Sequence, residues 1–91
     1  MNVLLITAEL KQTDRNYEVF FTTLKNNSLY WWHYLEAIWI VQTPKTANEY
    51  ANLLYPHMTD KDRLLVVKIT KDHQGWLPKD AWDWLTARTY E

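Results

Sequence analysis

The sequence predicts an α+β fold: a four-stranded antiparallel sheet, two helices packed on it, and an extra helix at the C-terminal end. Three observations predict it. Val3–Ala8 and Arg63–Thr70 are short runs rich in branched apolar residues, too short for helices and suited to buried strands. Leu29–Thr43 is dominated by aromatic and β-branched residues, which pack well on a pleated surface. Between these strands, apolar residues recur at three- and four-residue spacing, as on one face of a helix.

Taken in order, Val3–Ala8 is a first strand buried on both faces, and Glu9–Thr13 leads off it as a polar loop. Asp14 is placed to cap a helix, its carboxylate accepting from the free N–H groups of the first turn. Tyr17, Phe20, Phe21 and Leu24 form that helix's apolar face. Asn26-Asn27-Ser28 stops it, since Asn tolerates the left-handed conformation of a helix end. Leu29–Thr43 exceeds the usual strand length of about 5–6 residues. A break at Glu36-Ala37 divides it into antiparallel strands Trp31–Leu35 and Ile38–Thr43. That corner has no Gly, Asn or Asp, so one long bent strand remains the alternative.

Thr46-Ala47-Asn48-Glu49 is a capping box, with Pro44 holding the chain extended before it. Ala47, Tyr50, Ala51 and Leu54 line the buried face of the second helix, and Pro56 stops it. Asp60-Lys61-Asp62 reads as a solvated turn before strand Arg63–Thr70, and Asp72–Gly75 as another turn. Pro78 suits a first helical turn and Asp80 its positive end; Ala81, Trp82, Trp84, Leu85 and Arg88 continue as a short helix. The order β-α-β-β-α-β-α is the ferredoxin-like βαββαβ plan with an extra C-terminal helix, in a single domain spanning 1–91. Its two helices share one sheet face. The other needs cover, from a second copy or from the last helix, because bare Trp would leave a large apolar patch.

Composition bounds the chemistry. The absence of Cys removes disulfides, thiolate nucleophiles and Cys-ligated zinc, and a single Gly, Gly75, removes a Gly-rich phosphate loop. A net charge of −1, with Lys and Arg spread evenly, gives little support to nucleic-acid binding by one monomer, although a dimer could gather cations along one edge. No apolar run approaches the roughly 18 residues of a membrane span, and the N-terminus lacks a basic signal-peptide start, so no membrane partner is expected and the expected compartment is the cytosol.

Several motifs resemble a known group. Trp32-His33-Tyr34-Leu35-Glu36, Trp39-Ile40-Val41, Asp62–Ile69, Gly75-Trp76-Leu77-Pro78 and Ala81-Trp82-Asp83-Trp84-Leu85 look like those of small bacterial proteins labelled SinR-like. The resemblance covers nearly the whole chain and implies a ferredoxin-like fold but little chemistry. More distantly, the layout is similar to that of the CRISPR-associated integration-scaffold proteins, which are ferredoxin-like, dimeric and in places metal-dependent nucleases. That family carries a strand-end Tyr-Asp whose acids face each other across the dimer. The matching positions here are Ala8-Glu9, so the carboxylate persists as Glu and the Tyr is lost.

Each candidate residue has a plainer reading beside the functional one. Glu9 is a candidate catalytic group and a candidate Mg²⁺ or Mn²⁺ ligand shared at a dimer axis. A solvated acid partnered by Lys11 or Arg15 is favoured, because one carboxylate makes a poor metal site. His33 has the chemistry of a general base or proton sensor. With no Ser or Cys close in sequence to activate, a strand residue with a backbone partner is favoured. Trp31, Trp32, Trp39, Trp76, Trp82 and Trp84 have faces for stacking nucleobases. Without a basic excess they read, with His33, as core and interface.

The functional expectation is a non-enzymatic homodimeric interaction or scaffold protein needing no cofactor. Its partners are a second copy and other proteins, with attachment to a nucleic-acid system left open. The alternative is a metal-dependent nuclease using Glu9 from both subunits with Mg²⁺ or Mn²⁺.

Overall fold

Alternation along β1 (Asn2–Glu9) sorts the molecule into layers. Leu4 and Ile6 are buried on one face, and Val3 is buried on the other. The computed structural model describes residues 1–11 and 17–90. Within them lie an antiparallel sheet of four strands and three α-helices. β1 is followed by α1 (Glu18–Asn26), β2 (Tyr30–Leu35), β3 (Ile38–Thr43), α2 (Ala47–Leu54), β4 (Arg63–Lys68) and α3 (Lys79–Thr86). The strand order is β2-β3-β1-β4, so β2 and β4 are the edges.

One core lies between the sheet and the first two helices. Phe20 and Leu24 of α1 and Tyr50 and Leu54 of α2 close over Leu4, Ile6 and Val41. The Tyr50 hydroxyl donates to the Leu24 carbonyl at 2.6 Å and lies 2.8 Å from the Ser28 hydroxyl. Burial drives the pKa of Tyr50 up to about 12, against the opposing hydrogen bond from Ser28. On the opposite face a smaller core joins Val3, Trp32 and Ile40 to Ala81 and Leu85 of α3. The C-terminal helix therefore supplies cover for that face.

The hairpin at Glu36-Ala37 exists, so the single bent strand is excluded. No described residue has positive φ, so this turn lacks the left-handed residues that two-residue hairpins favour. The pairing adjusts instead: Trp32 opposes Ile40 but Leu35 opposes Ile38, a one-residue shift within β2. The Thr46–Glu49 capping box forms as expected, with the Glu49 N–H donating to the Thr46 hydroxyl at 3.2 Å and the Thr46 N–H to the Glu49 carboxylate at 2.9 Å.

Several expectations need correction. Asn27 ends α1 at φ −104°, not in the left-handed region; its side-chain amide donates to the Thr23 carbonyl at 2.8 Å and satisfies the helix end directly. Helix α2 does end at Leu54, ahead of Pro56 as expected, and a 3₁₀ turn over Tyr55–His57 follows it. The last strand stops at Lys68, although the Ile69 N–H still donates to the Val3 carbonyl at 2.9 Å. Pro78 sits just before α3 and not inside its first turn. The Asp14 cap lies outside the described residues.

Candidate functional site

Glu9 and His33 lie on different strands, and among the described residues their contacts do not bring them together. Glu9 ends β1 in an exposed position, opposite Arg63 in the β1–β4 register. Its carboxylate pairs with the Lys11 ammonium at 3.1 Å, both side chains being well exposed. Among the described residues no group of three or more His, Asp or Glu side chains converges as a metal site. A hard divalent cation prefers several oxygen ligands, and Glu9 offers one carboxylate. The His33 ring lies flat on Trp39, with centroids 3.8 Å apart and planes at 6°. Its Nδ1 is 3.0 Å from the Ile38 carbonyl and must donate there, since a carbonyl only accepts.

The aromatic residues gather mainly around β2. On the α1 side, Trp31 and Trp39 have ring centroids 5.4 Å apart, and Phe21 lies 5.7 Å beyond Trp39. The Lys25 ammonium sits 4.8 Å from the Trp31 ring centroid, a cation–π contact. On the α3 side, Trp32 is 1% exposed and its indole N–H donates to the Ala81 carbonyl at 3.2 Å. The Arg88 guanidinium lies 4.7 Å from the Tyr30 ring and 4.5 Å from the Trp84 ring. It also donates to the Gln42 side-chain carbonyl at 2.7 Å, which ties the end of α3 to β3.

Of the residues expected in core or interface, Trp32 is fully buried, while Trp39, Trp82 and Trp84 are half-buried. Trp31 and His33 remain exposed on the edge strand. Trp76 is no part of the core: it is 98% exposed. In this extended segment the neighbouring Leu77 turns inward to the core beneath α3, which sends Trp76 outward.

Sequence reasoning missed Asp62. It is buried, not solvated. Its carboxylate accepts from the Lys11 and Thr59 N–H groups at 2.8 Å each and from the Tyr17 hydroxyl at 2.9 Å. Burial alone would raise its pKa, but these donors outweigh it and hold the carboxyl at about 2. Asp62 is thus a structural anchor, joining the chain after β1 to the start of β4. The available signal was Thr59 three residues before an acid, a common local turn pattern.

Exposed apolar side chains concentrate at the sheet edges. β2 has only Trp32 buried, and it contains no charged residue. On β4, Leu65 is 59% and Val67 41% exposed. No described helix is long and apolar enough to cross a membrane. Comparison with protein-family models, with curated proteins and with solved structures finds no match for the chain.

Proposed function

We propose that the chain is a non-enzymatic interaction protein of ferredoxin-like fold, working in the cytosol as a homodimer joined through the outer edge of β2. The strand order β2-β3-β1-β4 and the placement of α1 and α2 on one face support the fold. The motifs resembling SinR-like bacterial proteins agree with it and add no chemistry.

The observation that carries the dimer is β2 itself: an edge strand, exposed at five of its six residues and free of charge. Edge strands invite pairing with another chain, and natural edges are commonly protected by Lys, Pro or other charges. β2 carries none. A two-fold axis would pair two copies of β2 antiparallel, bringing the Tyr30 end of one against the Leu35 end of the other. Lys25 and Arg88 stand at the first end and exposed Glu36 follows the second. The pairing therefore brings opposite charges together.

Sedimentation at micromolar concentration should give twice the chain mass. Tyr34→Lys should return a folded monomer, with unchanged circular dichroism. A wild-type monomer refutes the dimer. The same preparation should not cleave labelled RNA or DNA with Mg²⁺ or Mn²⁺. Cleavage that disappears in Glu9→Gln would replace this reading with the nuclease, in which Glu9 of both subunits holds the ion.

A further inference from the structure

The second sheet edge differs from the first in charge, regularity and surroundings. β4 pairs with β1 without interruption from Leu4 opposite Lys68 to Glu9 opposite Arg63. Its outer side has no strand partner among the described residues. An edge strand directs alternate N–H and C=O groups outward, so an added strand would find a regular ladder. Apolar surface lies on both sides of that ladder. Leu65 and Val67 are exposed on the face away from α1 and α2. On the other face a cleft of about 320 Å³ runs between α2 and β4, lined by Ala51, Tyr55, Met58 and Leu64 among others. Tyr55 at its rim is 71% exposed.

Charge selects the occupant. Lys61, Arg63, Lys68 and Lys71 lie on or beside β4 and are all exposed. Of the nearby acids, Asp62 is buried and committed to Lys11, Thr59 and Tyr17, and Glu9, opposite Arg63 on β1, is paired with Lys11, leaving exposed Asp60 and Asp72 against the four cations. Cations stand at both ends of the strand. A second copy of this chain fits poorly, because a two-fold antiparallel pairing would bring the Lys61–Arg63 end of one strand beside the Lys68–Lys71 end of the other and so crowd like charges, although Arg63 and Lys68 lie on opposite faces and would not face each other directly.

We infer that the outer edge of β4 docks an extended segment of a different protein, one that alternates apolar with small polar residues and carries acidic residues at both ends. Main-chain hydrogen bonds would supply affinity, as in other strand additions. Alternate side chains would fall on Leu65 and Val67 to one side and into the Tyr55–Leu64 cleft to the other. The acidic ends would meet Arg63 and Lys68. This surface is separate from β2, so the inference stands or falls independently of the homodimer.

The test uses the whole chain, isotope-labelled, and a blocked eight-residue peptide of alternating Val and Thr with Asp-Glu at each end. Amide shifts and slowed hydrogen exchange should map to Arg63–Lys68. The Arg63→Glu/Lys68→Glu double variant, shown to be folded by circular dichroism, should bind at least tenfold more weakly. A Lys-ended peptide should also bind at least tenfold more weakly than the acidic one. The inference is overturned if the acidic peptide leaves β4 unperturbed at millimolar concentration, or if both peptides bind equally. It is also overturned if a single-stranded oligonucleotide perturbs β4 more strongly than the acidic peptide, which would assign the cations to phosphate.

Discussion

Replacing Trp32 by Ala tests how the second core is held. Trp32 is the largest fully buried side chain and packs with Val3, Ile40, Ala81 and Leu85. Burying an indole removes about 150–250 Å² from water, or about 4–6 kcal/mol at about 25 cal/mol per Å². Truncations of buried aromatics to Ala commonly cost about 3–5 kcal/mol. The expected loss is therefore about 4 kcal/mol, a large share of the roughly 5–13 kcal/mol typical for a domain of this length. With a urea slope of about 1–1.5 kcal/mol per M, the midpoint should fall by about 3 M. The indole N–H bond to Ala81 also disappears, and the eight-residue α3 is too short to persist as an isolated helix. Urea unfolding followed by circular dichroism gives the global loss, and amide exchange over Lys79–Thr86 reports the docking of α3. A loss below about 1 kcal/mol, with α3 still protected, would refute the assignment of Trp32 as its anchor.

Trp76→Ala should change stability by less than about 0.5 kcal/mol in the same urea assay, because Trp76 is 98% exposed; a loss near that of Trp32→Ala would contradict its position. Tyr50→Phe should cost about 1 kcal/mol by removing the hydroxyl bonded to Leu24 and Ser28 while keeping the ring, and thermal unfolding of the pair measures it. Asp62 should make stability acid-sensitive. Its native carboxyl titrates at about 2, while an unfolded Asp titrates at about 3.9, so the unfolded chain takes up the proton first as pH falls. Its contribution is present above about pH 5 and is lost progressively as pH falls toward 2. Asp62→Asn should be less stable at neutral pH and should lose part of that acid dependence; superimposable acid limbs would count against this role.

The strands and helices were legible where one local pattern governed them. The continuous branched apolar run Val3–Ala8, the three- and four-residue spacing of Tyr17, Phe20, Phe21 and Leu24, and the Thr46–Glu49 box all act within a few residues. Features set by distant chain were not legible. Asp62 looks solvated in its charged turn, yet its burial depends on Lys11 and Tyr17, more than forty residues earlier. Trp32 and Trp76 are the same residue type, and the docking of α3 over the sheet separates a core anchor from an exposed ring. Glu9 and His33 were recognisable as reactive types, but their roles depended on neighbours: Lys11 for one, Trp39 and the Ile38 carbonyl for the other. Which strands form the edges was also hidden, because sheet order follows from long-range pairing.

Dimerisation through β2 would couple assembly to the stability of the whole chain. β2 pairs regularly with β3 only from Tyr30 to Trp32 before the register shifts, and its buried side chain also holds α3. A partner strand on the outer edge would stabilise β2 and, through Trp32, the second core. If folding and assembly are linked in this way, unfolding a dimer yields two chains and mass action makes its midpoint depend on concentration. A tenfold rise in protein is worth about 1.4 kcal/mol per dimer. Two chains of this length have an unfolding entropy of roughly 0.4 kcal/mol/K, so the melting temperature should rise by about 3–4 °C per tenfold increase in concentration. Calorimetry across the micromolar range measures that slope. Tyr34→Lys should abolish it while Leu65→Lys preserves it, because only the first substitution places a charge on the β2 edge. A slope unchanged by Tyr34→Lys but abolished by Leu65→Lys would move the dimer contact from β2 to β4 and require a different explanation for the cations there.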